Sequence, residues 1–304
     1  MYEQHKSFTE PADDVIIWRY LDLPKFIAML QNNSLYFSRI DLLNDPMEGA
    51  IQRERLIQMA NEAERNGKSE LSNMIHHNLK ATYSTTNDYL LPSTYVNCWS
   101  MAEFESIGMW NQFVKGIGIA IKSSFKRLKD VLSIDSHHTF MIGIVNYLDY
   151  SSELIPQDNL FNYITHKRIF YREEREIRAV NSLWSSKEFI NITSHLWDEV
   201  EDGRFPGLKP YLETIREQKG IMFSPEEDEE AKNFQILTEE ARRIIIKEKS
   251  PSGLNIEVDL LNLIEAVYLA PDTPDWIAEV ISHLIQNAFG IKLPLFHSGV
   301  DQPV

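Results

Sequence analysis

The stretch Leu35–Ile51, LYFSRIDLLNDPMEGAI, decides how the rest of the chain is read. Leu35-Tyr36-Phe37-Ser38 has the character of a half-buried strand, Asn44-Asp45-Pro46 has turn chemistry, and Met47 to Arg65 follows at helical spacing. Strand and turn together crowd Tyr36, Ser38, Arg39, Asp41, Asn44, Asp45 and Glu48 into one place. A core strand has no use for that much polarity, so the cluster is expected at one edge of a sheet. Cys98–Trp110 (CWSMAEFESIGMW) and His166–Arg178 (HKRIFYREEREIR) have the same character. Three such clusters at strand ends point to one composite site, in which Tyr20, Arg39, Ser100 and Glu176 line a single cleft.

Working outward, strands are expected at Val15–Tyr20, Tyr95–Ser100, Gly116–Ile121, Met141–Tyr147, Ile177–Val180, Ile256–Val258, Ala266–Leu269 and Ile291–Phe296. Helical spacing appears over Leu23–Asn32, Glu103–Phe113, Phe125–Val131 and Pro274–Ala288. Ile51–Thr82 reads as two helices broken at Asn66-Gly67, with Ser69 capping the second. Trp184–Lys249 is helix-rich and separates the charged run from the last strands. The acidic run Glu226–Glu230 suits a helix N-terminus, where negative charge is favoured. The expected architecture is a single mixed α+β domain over residues 1–304, with a helical insertion at about 184–249.

The chain carries 45 acidic against 30 basic residues, a formal net charge of −15, which disfavours nonspecific binding to phosphate backbones. Basic residues from Lys122 to Lys129 are the best candidates for a local basic rim. The lone cysteine, Cys98, excludes an internal disulfide and a cysteine-based zinc site, and its thiol is expected to be buried. The N-terminus lacks the apolar core of a secretion signal, and no stretch approaches a membrane span. A soluble, cytoplasmic protein is expected.

The charged run holds the chemistry. If it is extended, Glu174, Glu176 and Arg178 share one face, and paired carboxylates suit an oxocarbenium-like centre. The alternative is a solvated helix face of Glu–Arg pairs. Ser100 either holds a ligand hydroxyl or, with Glu103 three residues on, forms a helix-capping box. Trp99, Trp110 and Phe113 serve either as core or as a stacking platform. Arg39, Asp45 and Glu48 form either a phosphate-and-ribose grip or an ion-paired turn. The histidine pairs His76-His77 and His137-His138 lack metal spacing, so no metal is assigned. No GxGxxG, Walker or GxSxG motif occurs.

Taken in order, WRY (Trp18–Tyr20), LYFSRIDLLNDPMEG, CWSMAEFESIGMW with GIGIAI, and Lys167, Tyr171 and EREIR resemble the bacterial domain of unknown function 2971. The likeness spans about residues 15 to 180, with VDLLNLIEAVYLAP resembling the C-terminal part. That family in turn is similar to a divergent branch of the ADP-ribosyltransferase superfamily. The resemblance implies mixed sheets around a cleft that takes NAD as substrate, with Arg19 or Tyr20 in the first motif, Trp99-Ser100 in the second, and Glu176 or Glu174 as the catalytic carboxylate. Tyr36, Arg39, Asp45, Glu48, Trp110, Lys167, Tyr171 and Arg178 complete the expected NAD-binding set. The implied reaction is transfer of ADP-ribose to a protein or nucleic acid, as a toxin or phage-defence effector with a cognate antitoxin or other defence protein as partner. NAD glycohydrolysis and a non-catalytic nucleotide- or protein-binding module are the alternatives. The chain departs from the superfamily pattern in lacking a Ser-Thr-Ser triplet.

Overall fold

The computed structural model describes residues 1–183, 195–218 and 229–300. Its strands are β1 (Ile16–Asp22), β2 (Ser34–Arg39), β3 (Thr94–Met101), β4 (Gly118–Ser124), β5 (Phe140–Ile144), β6 (Asn146–Leu148), β7 (His166–Arg168), β8 (Glu176–Ser182), β9 (Gly253–Glu257), β10 (Ala266–Leu269) and β11 (Leu295–His297). Among the described residues, nine of these form one mixed sheet, while β6 and β7 pair separately. The protein is therefore α+β.

β3 is the pivot of the sheet. One edge pairs antiparallel with β8, from Thr94 opposite Ser182 to Ser100 opposite Glu176, and β8 pairs onward with β5. The other edge is shared. β1 meets it at Ser100 and Met101, and β2 meets it at Tyr95 and Val96. From β1 the sheet continues through β4, β10 and β11; from β2 it continues to β9. The sheet thus forks along β3, and Arg19 and Asn97 reach across the fork to donate to the Tyr36 carbonyl, at 3.3 and 2.9 Å.

The two faces at β8 differ in kind. Ile177 and Ala179 join Phe37, Tyr95, Trp99 and Phe140 in the main apolar core. Helix α1 (Leu23–Asn32) buries Phe26, Met29 and Leu30 in that core, and a later helix, Phe125–Ser133, buries Phe125, Leu128, Val131 and Leu132. Spacings of three and four residues put each set on one stripe, and each such side chain stabilises the fold by about 1.5–3 kcal/mol. On the opposite face, strand alternation turns Glu176 and Arg178 towards Ser100 and Cys98. The charged run is a turn followed by a strand, not a solvated helix.

The insertion is helical where it is described. Leu196–Glu201, the 3₁₀ turn Pro206–Leu208, Lys209–Gln218 and Glu229–Lys249 bring Leu196, Val200, Leu208, Leu212, Ala241 and Ile245 into an apolar cluster of their own. Arg39 ties it to the sheet, donating to the Asp41 carboxylate and to the Lys247 and Ser250 carbonyls at the end of the long helix. A cation there meets the negative end of the helix dipole. The expected start of the insertion, 184–194, and the first part of the acidic run, 226–228, lie outside the described residues.

Several local expectations change. The helix after β3 begins at Ile107, not Glu103, and its cap is Ser106, whose hydroxyl accepts from the Met109 amide. Ser100 is therefore no cap; it lies in β3 and donates to the Glu174 carbonyl at 2.8 Å. The helix expected from Met47 starts at Arg53, because the Asp45 carboxylate captures the Met47 amide at 3.0 Å and Gly49 turns to a φ of +68°. Ser69 is the first residue of its helix rather than the cap, and its hydroxyl donates to Glu64. The segment Met141–Tyr147 divides into β5 and β6, and the last strand shortens to three residues. Among the described residues no helix is long and apolar enough to cross a membrane.

Candidate functional site

The site begins where β8 begins. The chain leaves β7, makes a 3₁₀ turn over Ile169–Glu174, and passes through Arg175 in a left-handed conformation before entering the sheet at Glu176. The Arg175 carbonyl accepts from the Met101 amide at 2.9 Å, and the Tyr147 hydroxyl accepts from the Glu176 amide at 2.8 Å. These bonds fix Glu176 directly across from Ser100. The turn sends the Glu174 carboxylate back into the same space.

There the charges interlock. The Lys167 ammonium lies 2.7 Å from Glu174, 3.3 Å from Glu176 and 3.6 Å from Glu48. Arg178 donates through Nε to Glu176 at 2.7 Å, and through Nη1 to Glu48 at 2.9 Å and the Ile164 carbonyl at 2.6 Å. Gln112 donates to the second oxygen of Glu174 at 2.5 Å. Glu48, Ser100, Lys167, Glu174, Glu176 and Arg178 are all buried. Two atoms in this packed group, Glu48 Oε2 and Arg178 Nη2, have no hydrogen-bond partner.

Burial and charge compete at each titratable group. Burial alone would raise Glu176, but Arg178 and Lys167 outweigh it and hold the carboxyl at about 2, so it is ionised at neutral pH. Burial dominates at Glu174 and raises its pKa, because Lys167 is shared with two other carboxylates. Burial would lower Lys167, yet its three carboxylate neighbours raise it. Burial and Glu176 push the Cys98 thiol up, so it is no thiolate.

The remaining expected residues distribute around this centre. Asp45 accepts from Arg168 at 2.6 Å, and the Tyr171 ring lies under both the Lys167 ammonium, at 4.7 Å, and the Arg168 guanidinium, at 5.4 Å. Tyr20 and Trp110 pack edge to face at 5.0 Å in an apolar cluster with Trp18, which pairs with Ser100. The Tyr20 hydroxyl accepts from the Ser106 amide, and burial raises its pKa to about 12.

Arg19 and Trp99 lie on the other face, the guanidinium 5.8 Å above the indole ring. Arg19 Nη1 is buried without a partner, and burial lowers the pKa to about 10. Tyr36 is half exposed beside Gly253. Arg39 pairs across from Tyr95, five residues along β3 from Ser100, so it anchors the insertion instead of lining the cluster. The single cleft expected for Tyr20, Arg39, Ser100 and Glu176 thus reduces to Ser100 and Glu176, with Tyr20 nearby on the same face.

Gln112 and Tyr147 belong to the site although the sequence pattern does not point to them: Gln112 lies two residues past the CWSMAEFESIGMW block, and Tyr147 carries no signal. Arg168 belongs to it as well and lies within the third polar segment, His166–Arg178. Among the described residues no group of three or more His, Cys, Asp or Glu side chains could hold a metal ion. No family model, curated protein or solved structure matches the chain.

Proposed function

We propose that the chain cleaves the N-glycosidic bond of NAD and transfers the ADP-ribose to a macromolecular acceptor, protein or nucleic acid. One observation carries this reading: Glu176 is an ionised, buried carboxylate opposite Ser100, with one oxygen fixed by Arg178 at 2.7 Å and the other held more weakly by Lys167 at 3.3 Å. The weaker contact is the exchangeable one. The nicotinamide-ribose 2′-hydroxyl takes the place of the ammonium and donates to Glu176 Oε2. The carboxylate then offsets the positive charge that spreads over C1′ and the ring oxygen as the C1′–N bond breaks. Nicotinamide leaves neutral with the bonding electrons, the acceptor's lone pair forms the new bond to C1′, and its proton passes to solvent.

The donor set suits the ribosyl part of NAD. Glu48 Oε2, which makes no hydrogen bond and has the Lys167 ammonium at 3.6 Å, becomes an acceptor for a ribose hydroxyl once Lys167 moves, and Arg178 Nη2 is a donor for the carboxamide oxygen. Entry requires the turn Ile169–Glu174 to move outward with Lys167, and the exposed Arg172 and Arg175 on either side of Glu174 are the cations nearest to meet phosphates. An enzyme of this kind, acting within its own cell, would serve as a toxin or phage-defence effector held by a cognate antitoxin.

The closure of the cluster favours one other reading, a module that binds a nucleotide or protein without turnover, because every charge already has an opposite within the fold. Incubation of the purified protein with labelled NAD and cell lysate separates them. Label on protein or nucleic acid supports transfer, and free ADP-ribose alone indicates glycohydrolysis. Intact NAD overturns both enzymatic readings.

A further inference from the structure

The turn Ile169–Glu174, which covers the candidate site, is lightly attached to the rest of the fold. Of its six residues only Glu174 is buried. Phe170 is 83% exposed, Arg172 and Glu173 are exposed, and among the described residues neither Ile169 nor Phe170 joins an apolar cluster of the core. β7, which leads into the turn, is three residues long and pairs with β6 outside the main sheet. Segments with so few buried apolar contacts open at lower cost than the core does. The turn ends at Arg175, whose φ of +42° is strained for a residue that carries a Cβ, so the chain has a hinge there.

Two polar clasps hold the turn down, one at each end. Before it, Arg168 Nη2 donates to the buried Asp45 carboxylate at 2.6 Å and to the Tyr171 hydroxyl at 3.3 Å. At its end, Gln112 on the helix Ile107–Phe113 donates to Glu174 Oε1 at 2.5 Å, and the Ser100 hydroxyl donates to the Glu174 carbonyl. Between the clasps Lys167 directs its ammonium inward, 3.3 Å from Glu176 and 3.6 Å from Glu48, with the Tyr171 ring 4.7 Å away. That ammonium stands where a substrate hydroxyl must stand to reach Glu176 Oε2.

We propose that the turn and Lys167 form an autoinhibitory plug, and that the clasps Arg168–Asp45 and Gln112–Glu174 set how often it withdraws. The proposal rests on the reading of Glu176 as the carboxylate that receives the ribose hydroxyl of NAD. Only molecules with the turn open are competent to bind, so the apparent affinity for NAD is reduced by the open fraction. Loosening a clasp raises that fraction and leaves the bond-breaking step as it was. The gain therefore appears in KM and not in kcat.

Two variants on different elements test the plug. Arg168→Gln removes one clasp and leaves Asp45 to accept from the Met47 amide. Gln112→Glu, at an exposed helix position, sets a second negative charge against Glu174. Opening is read without NAD, from hydrogen exchange of the Phe170–Glu176 amides and from tryptic cleavage after Arg172. Each variant is expected to exchange and to be cut at least tenfold faster there while β3 exchanges as in the wild type, and to lower KM for NAD at least tenfold with kcat unchanged. Either variant that keeps the wild-type exchange of β3 decides the matter. A turn no more open than in the wild type overturns the clasps. An opened turn with KM unchanged overturns the plug and leaves the reaction standing, whereas an opened turn with no nicotinamide released by any of the three proteins overturns the reaction and the plug with it.

Discussion

Glu176 is held ionised by two cations against the cost of its own burial, and that balance has a sign that can be measured. Its folded pKa of about 2 lies below the ordinary value of 4.5. The stability it contributes is therefore fully present above about pH 4.5 and is lost as the pH falls through about 2. Glu174 works the other way: burial raises its pKa, so its contribution is largest at low pH and declines as the pH rises through the raised value. Calorimetry across the acid range should show the melting temperature of the wild type falling as Glu176 protonates, with that slope diminished in Glu176→Gln. An identical acid slope in the variant would show that Glu176 does not carry it. Lys167 gives a larger effect, since Lys167→Met leaves Glu48 and Glu176 with Arg178 alone and Glu174 with the neutral Gln112. A loss of about 3–5 kcal/mol is expected by urea unfolding, as for other broken buried pairs; a loss below about 1 kcal/mol would mean that the three carboxylates do not depend on it. At this scale the strand period made the shared face of Glu176 and Arg178 legible in the sequence. Glu174 reaches that face by a turn instead of by alternation, and Tyr147 and Gln112 arrive from distant segments that only tertiary packing brings near.

The elements explain why the strands are easier to read than their ends. β3 and β8 place Tyr95, Trp99, Ile177 and Ala179 on the core face and Ser100, Glu176 and Arg178 on the other, so their existence is written in alternation, whereas the fork that β1 and β2 make on one edge of β3 has no local signature. Ser100 has the sequence signature of a cap because Glu103 follows it, but Ser100 is buried as a strand residue between β1 and β8. Ser106 has the extended backbone, with φ of −121° and ψ of 121°, that a cap needs. Ser106→Ala should cost about 1 kcal/mol, measured by chemical unfolding, whereas no cost would show that its 3.4 Å contact to Met109 adds nothing. Gly143 in β5 gives a steric test. A Cβ built there would lie 2.9 Å from the Phe8 Cβ and 3.0 Å from its Cα, atoms that cannot swing aside. Gly143→Ala should destabilise the fold by about 1–3 kcal/mol, and a neutral result would mean that the N-terminal segment packs more loosely against β5.

For the whole molecule, the net charge of −15 sets the background against which any polyanion must bind. Of the basic rim expected from Lys122 to Lys129, three cations are ion-paired within the fold, Lys122 with Glu265, Lys126 with Asp130 and Lys129 with Asp13, while Arg127 donates to the Asn262 carbonyl. Reversing Lys126 and Arg127 to Glu should leave the retention of DNA and RNA at low salt unchanged; a clear drop would restore that rim as a nucleic-acid surface. The α+β class and the helical character of the insertion were legible from periodicity, but the way the insertion docks through Arg39 was not, because a guanidinium meeting a helix end 208 residues away leaves no mark on local pattern. The proposed chemistry depends most on the ionised carboxylate at the mouth of β8. The direct test is the rate of nicotinamide release from NAD by the wild type and by Glu176→Gln, with melting temperatures recorded for both. A folded variant slower by on the order of 10²-fold is predicted, and equal rates in two folded proteins, or no release by either, would contradict it.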